Sequence, residues 1–305
     1  MWVFLPVVLA LLFRPPSEPV RFVQEALRRH QIVFLGDIHP LAEPKLLVAR
    51  LIREQPEDLP IDLLALEIAA EQQQWIDRYL SSDPEDTRIL LDHPRTLRAH
   101  WGVSAEYLDI YRAVYQWNRQ HPDRQIRILA ADQMRSSNTP LTPRMAAGDF
   151  VTRDSRMAVS FRRELQRHPD WRVLIFMGGY HGLKKVGGRV AFGQAQGRFD
   201  RWFAGYLLDS GAEVYSILTD ARQPHGHGAT RVFDQLAKNS SGNFAVALDS
   251  TTDMIVEPLH EVVHAGFSLE FWPARFALRD AIDALVVLNQ TTPISLLHRT
   301  GDREH

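Results

Sequence analysis

From residue 31 onward, short apolar runs rich in β-branched side chains alternate with longer stretches whose apolar positions recur about every 3.6 residues. The short runs at 32–35, 63–66, 126–130, 173–177, 214–218, 244–248 and 285–288 read as seven strands. The longer stretches at 45–54, 72–80, 105–120, 155–167, 199–209 and 231–238 read as helices, with Leu46, Leu47, Ala49, Arg50 and Ile52 giving the first its spacing near 3.6. Alternation of this kind predicts an α/β fold: a mostly parallel sheet of about seven strands flanked by helices. No period of about 20 to 50 residues recurs, which excludes a solenoid. The expected organisation is a single main domain over 20–299, with a small cap-like insertion at 81–104 broken by Asp83-Pro84 and His93-Pro94. A Gly- and His-rich loop at 223–230 and a polar tail at 300–305 complete it.

Residues 2–13 are all apolar or Pro, a run too short to cross a bilayer about 30 Å thick as a helix. No Lys or Arg precedes the run and no small-x-small cleavage pattern follows it, so it lacks both flanks of a secretory signal. Residues 1–19 are expected to be a signal, a membrane tether or an extra element of the fold, which fits either a cytoplasmic or an exported protein.

Charge and cysteine content narrow the chemistry. The 305 residues carry 35 Lys plus Arg against 37 Asp plus Glu, a formal charge of −2, so no basic excess is present to neutralise phosphates and nucleic acid is not an expected partner. With no cysteine, the chain has no disulfide, thiolate metal site, Cys nucleophile or Cys-linked lipid anchor. Any metal must bind through His, Asp, Glu or Tyr.

The ends of the predicted strands carry the ionisable residues. The first run leads into Gly36-Asp37-Ile38-His39, the second into Glu67, the third into Asp132 and the fourth into Gly178-Gly179-Tyr180-His181. In open α/β sheets, ligands bind just beyond the carboxyl ends of the strands, where side chains from several strands converge. One Gly-x-x-His is worth little, since this composition yields about 0.7 by chance. Two of them, each directly after an apolar β run, point to a site. A glycine there suits a tight exit from the strand with close backbone approach.

Such a cluster suits two kinds of chemistry. Imidazoles with a carboxylate can hold a divalent cation that acidifies water and polarises a carbonyl. Alternatively, one His paired with a carboxylate can deprotonate water unaided. The residues support both readings.

Gly36-Asp37-Ile38-His39, Ala65-Leu66-Glu67 with the Gln-rich stretch containing Trp75 and Tyr79, Arg153-Asp154-Ser155-Arg156-Met157-Ala158, and Gly178-Gly179-Tyr180-His181-Gly182 resemble the ChaN-like haem-binding uptake family. That family lies in the Tiki superfamily, with TraB-type and erythromycin-esterase-like proteins. The resemblance runs from about Val20 to about Asp220, with a weaker echo in Asp283-Ala284-Leu285-Val286-Val287-Leu288 and Thr292-Pro293. It implies an α/β fold and a site of His39, Glu67 and His181, supported by Asp37, Asp132 and Arg153. It further implies a hydrolase of an ester, amide or peptide bond, acting on a small-molecule or peptide substrate through a divalent metal or an activated water. A non-catalytic haem protein with Tyr or His as axial ligand is the alternative. Asp37 stands where the family has a Glu one methylene longer. Erythromycin esterases carry one more residue between acid and His, which argues against macrolide lactone cleavage.

Other motifs compete. His260-Glu261-Val262-Val263-His264 matches the zincin pattern, which on a helix would offer a second metal site at His260, Glu261 and His264. Pro258, Gly266 and the β-branched pair argue against a helix there. His225-Gly226-His227 reads as a solvated tract, and Lys184 with Lys185 as solvated lysines that could instead meet an anionic substrate. Tyr107, Tyr111, Tyr115 and Trp117 read as one packed helical face.

Overall fold

The structure is a computed structural model, and it describes residues 17–93, 96, 98–99, 102–133, 142–221, 242–248, 255–256, 261–264, 267–272, 276–289 and 291–297. The predicted helix at 231–238, the loop at 223–230, the apolar run at 2–13 and the polar tail lie outside these residues. Among the described residues, no helix is long and apolar enough to cross a membrane.

Eleven strands matter here: β1 Ile32–Asp37, β2 Leu63–Ala69, β3 Arg127–Asp132, β4 Val173–Gly178, β5 Gly187–Phe192, β6 Ala195–Phe199, β7 Val214–Ala221, β8 Phe244–Ala247, β9 Glu261–His264, β10 Phe267–Trp272 and β11 Ala284–Leu288. The helices are α1 Pro19–Arg29, α2 Glu43–Arg53, α3 Gln73–Leu80, α4 Ala105–Gln120, α5 Pro143–Arg167 and α6 Phe203–Asp209, with single turns elsewhere. All seven predicted strands form one sheet, ordered β8-β11-β7-β1-β4-β2-β3. Every neighbouring pair is parallel except β8 with β11 at the edge.

Side chains alternate across this sheet with the two-residue period of a strand. Val33, Leu35, Leu64, Leu66, Leu174 and Phe176 pack beneath α1, α2 and α4. Ile32, Phe34, Leu63, Ala65, Val173, Ile175 and Met177 pack beneath α5 and α6. Burial on both faces explains why these strands read as unbroken apolar runs rather than alternating ones. Tyr107, Tyr111, Tyr115 and Trp117 form the packed face expected of α4, all buried.

Four features differ from the sequence reading. The helix expected at 155–167 starts at Pro143, capped by Thr142, whose hydroxyl accepts from the Met145 amide; Gly148, Asp149 and Thr152 lower helix propensity in that first half and conceal it. The stretch from residue 199 begins as the end of β6 and turns helical only at Phe203. Helix α1 is unanticipated, although Glu18 caps it by accepting from the Arg21 amide and Pro19 opens it. A second, antiparallel sheet, β9-β10-β5-β6, is also new. Its β5–β6 hairpin turns on Gly193, in the left-handed region at φ 59°. Glu261–His264 belongs to that sheet, a strand rather than the helix on which the zincin spacing would set both imidazoles on one face. His260 lies outside the described residues.

The described part of the insertion at 81–104 packs on the helical layer. Leu90 is buried there, the Tyr79 hydroxyl donates to Glu85, and the Tyr111 hydroxyl donates to the Thr96 carbonyl.

Helix α2 turns Lys45 inward, fully buried, and leaves the adjacent Leu46 45% exposed. Leu51→Ala is therefore expected to cost about 2–5 kcal/mol and Leu46→Ala about 0.5 kcal/mol or less, measured by urea unfolding. Equal costs would mean that α2 presents a different face to the sheet.

Candidate functional site

Strands β1, β4, β2 and β3 are adjacent and parallel, so their carboxyl ends share one rim. Asp37 closes β1, Glu67 lies near the end of β2, Asp132 closes β3 and Gly178 closes β4. His39 follows β1 by two residues, and His181 sits in the tight turn Gly179–Gly182 after β4. The three residues picked as the core of the site meet at Glu67. Its Oε2 lies 3.5 Å from His39 Nε2 and its Oε1 lies 3.4 Å from His181 Nε2.

The glycine of each Gly-x-x-His is required by close approach. A Cβ on Gly36 would stand 3.0 Å from Gly179 Cα, and one on Gly178 would stand 2.8 Å from His39 Nε2 and 3.1 Å from Glu67 Oε2. Neither glycine has a left-handed φ. The two turns are thus folded against each other, and the space a side chain would fill above Gly178 faces the His39 imidazole.

Each ionisable group has its own holder. His39 Nδ1 bonds Asp37 Oδ2 at 2.9 Å, and His181 Nδ1 bonds Asp154 Oδ2 at 2.8 Å. Arg153 donates Nε and Nη2 to the two oxygens of Asp132, both at 2.9 Å, and Nη2 also to Glu67 Oε1. The Gly178 amide donates to Glu67 Oε2 at 2.7 Å. Asp154 takes a further hydrogen bond from the Phe203 amide at 2.7 Å, which ties α5 to the start of α6. Behind Asp37 stands the buried Lys45 ammonium, 2.6 Å from Oδ1. The phenol of Tyr107, also buried, lies within reach of Asp37.

Charge decides how the two imidazoles behave. Asp37, Glu67, Asp132 and Asp154 supply four carboxylates against two permanent cations, Lys45 and Arg153, so the cluster favours protons on its histidines. Burial works against the charged form of His181, but Asp154 and Glu67 outweigh it and lift its pKa to about 10. Burial likewise opposes protonation of His39, and Glu67 with Asp37 raises it nonetheless. Burial alone would raise the Glu67 carboxyl; Arg153, then His181 and His39, hold it well below the usual carboxylate range. The two histidines differ most in access: the His39 side chain is 21% exposed, that of His181 only 7%.

The donor set does not suit a metal ion. Glu67 Oε1 already accepts from Arg153 and Oε2 from the Gly178 amide. The guanidinium reaches to 3.4 Å from His181 Nε2, placing a fixed positive charge where a cation bound by Glu67 and His181 would sit. Among the described residues, no group of three or more His, Asp or Glu is arranged to hold a metal ion. Nor do the imidazoles suit haem, since both nitrogens of each ring face carboxylates. Tyr180, the other axial candidate, packs its ring against Trp202 and Phe271 and remains 41% exposed.

Three residues of the cluster escape a reading of strand ends: Lys45, Asp154 and Tyr107. Asp154 carried a signal, its place beside Arg153 on an amphipathic stretch. Lys45 carried none, because a lysine beside the apolar Leu46 and Leu47 reads as the solvent side of the helix. Lys184 is mostly buried and pairs with Asp283 at 2.6 Å, whereas Lys185 is a solvated lysine, 3.3 Å from the likewise exposed Asp280.

A native pKa of about 10 against 6.5 for a free imidazole means that His181 contributes its full stability below pH 6.5, and that this contribution is lost as pH rises towards 10. Unfolding free energy measured across that window is expected to fall more steeply for the wild type than for His181→Gln. Parallel curves would show that His181 is an ordinary imidazole.

No protein-family model matches the chain, and no curated protein matches it in sequence. Solved structures do match. An erythromycin esterase, EreC, in its open conformation superposes with a TM-score of 0.63 at 12% identity, over 94% of this chain and 99% of that one. A succinoglycan biosynthesis protein gives 0.61 at 11% identity, over 94% and 96%. The haem-binding ChaN of Campylobacter jejuni gives 0.39 at 15% identity, over 68% and 87%, too loose a likeness to bear on ligand choice. The fold implied by the sequence resemblance is the fold the chain has, shared almost end to end with an erythromycin esterase.

Proposed function

We propose that the protein is a hydrolase of an ester or related acyl bond, in which His39 is the general base that activates water. The observation that carries this reading is the asymmetry of the two imidazoles: the His39 side chain is three times as exposed as that of His181, with Nδ1 held by Asp37 and Nε2 facing Glu67. With its proton on Nδ1, donated to Asp37, neutral His39 presents a lone pair on Nε2. His181 holds its proton too tightly and too deep to serve as base near neutral pH. Glu67, pinned by Arg153 and the Gly178 amide, is too weak a base for the task and instead stabilises the imidazolium formed on His39.

In this reaction His39 Nε2 takes a proton from water as the water oxygen bonds to the acyl carbon, and the carbonyl π pair moves onto the carbonyl oxygen. Collapse of that tetrahedral adduct expels the alkoxide, which takes the proton back from Nε2. The acid and alcohol leave, and the ring is neutral again. No step needs a metal ion. The fold shared with an esterase supports the reaction class as an analogy between folds, and the substrate is a small molecule or peptide bearing such a bond.

Aryl esters, lactones and amides are the substrates to screen. At least one ester is expected to turn over, with kcat/KM rising through a pKa above 6.5, no loss of rate after chelation, and a drop of about 10²–10⁴-fold in kcat for His39→Asn. An unchanged rate in His39→Asn, or activity lost to chelator and restored by metal, would overturn the proposal. Gly178→Ala gives a sharper geometric check. Its Cβ would crowd His39 Nε2 and Glu67 Oε2, side-chain atoms rather than backbone, so the variant is expected to fold with reduced stability and lose most activity. Full activity would mean that His39 does not work from the place it occupies.

A further inference from the structure

Lys45 is fully buried on α2, and all three of its ammonium protons are engaged. They go to Asp37 Oδ1 at 2.6 Å, the Ile38 carbonyl at 3.0 Å and the His39 carbonyl at 2.8 Å. The turn from β1 to His39 is therefore wrapped around one cation. Asp37, whose side chain is itself fully buried, shares its second oxygen with His39 Nδ1, so ammonium, carboxylate and imidazole stand in line. Tyr107 closes the other side, its ring centroid 5.9 Å from Nζ.

This arrangement runs against simple packing. A buried ion pair is often no more stabilising than apolar residues of the same volume, and here α2 holds a lysine inside while leaving the next residue, Leu46, 45% exposed. Burial depresses the Lys45 ammonium, and Asp37 offsets only part of that. A charge kept in so costly a place needs a reason other than stability.

We propose that Lys45 is a positioning residue for His39: by fixing Asp37 and both carbonyls of the turn, it locks the imidazole with its proton on Nδ1 and its Nε2 facing Glu67. This rests on the reading of His39 as general base, but its structural half can be tested without any substrate. Lys45→Met keeps the chain length and removes charge and donors. Relative to wild type, nitrogen NMR of the labelled histidines is expected to show the neutral His39 ring shift from the Nδ1–H tautomer to a mixture of the two. In an ester assay, kcat should fall about 10–100-fold with KM little changed, as when the supporting partner of an active group is removed. A folded Lys45→Met with an unchanged His39 tautomer would overturn the proposal, whatever the activity. If wild type hydrolyses nothing while the tautomer still shifts, the general-base reading fails and the positioning role stands. Should Lys45→Met not fold, the wild type decides: a buried, triply bonded ammonium must give a slowly exchanging Lys45 nitrogen signal at neutral pH, and a rapidly exchanging one would end the proposal.

Discussion

The rim of the sheet depends on one interaction, the grip of Arg153 on Glu67. The guanidinium neutralises a carboxylate buried between two imidazoles and, through its bidentate contact with Asp132, braces β2 against β3. Glu67 in turn takes the Gly178 amide at the end of β4. These ionisable groups can sit at this depth because each has a partner within hydrogen-bonding distance, which is the condition for burying charge at all. Removing Arg153 would take the guanidinium from between Glu67 and Asp132 and draw protons into the cluster.

From that grip follows a division of labour between two histidines that look alike in sequence. Both end a Gly-x-x-His, both bond a carboxylate through Nδ1, and both turn Nε2 toward Glu67. Depth separates them. His181 is enclosed by Asp154, Arg153 and Trp202, whereas His39 lies nearer solvent on a turn held by Lys45. The same pattern of side chains thus yields a deeply buried imidazole held by carboxylates in one place and a more exposed one in the other.

Much of this was legible in the chain. The seven apolar runs are the seven strands of the main sheet, because strands covered on both faces leave an unmistakable hydrophobic trace. Since the sheet is parallel, residues directly after those runs had to share an edge, so His39, Glu67 and His181 could be joined without knowing the strand order. What escaped has physical causes. The hairpin of β5 and β6 is rich in glycine and half exposed, so it lacks such a trace. The first half of α5 is polar, and on α2 the buried face that Leu47, Ala49 and Ile52 mark also takes in Lys45 while leaving Leu46 outside. Val262-Val263 within the zincin-like motif was the better guide there, favouring strand over helix.

The most direct test of the account is the protonation of the two rings in the wild-type protein, followed by nitrogen NMR as pH is raised. The account predicts that His39 loses its proton first and retains hydrogen on Nδ1, while His181 stays doubly protonated until about pH 10. Two rings titrating together near 6.5, or a neutral His39 carrying its hydrogen on Nε2, would contradict it.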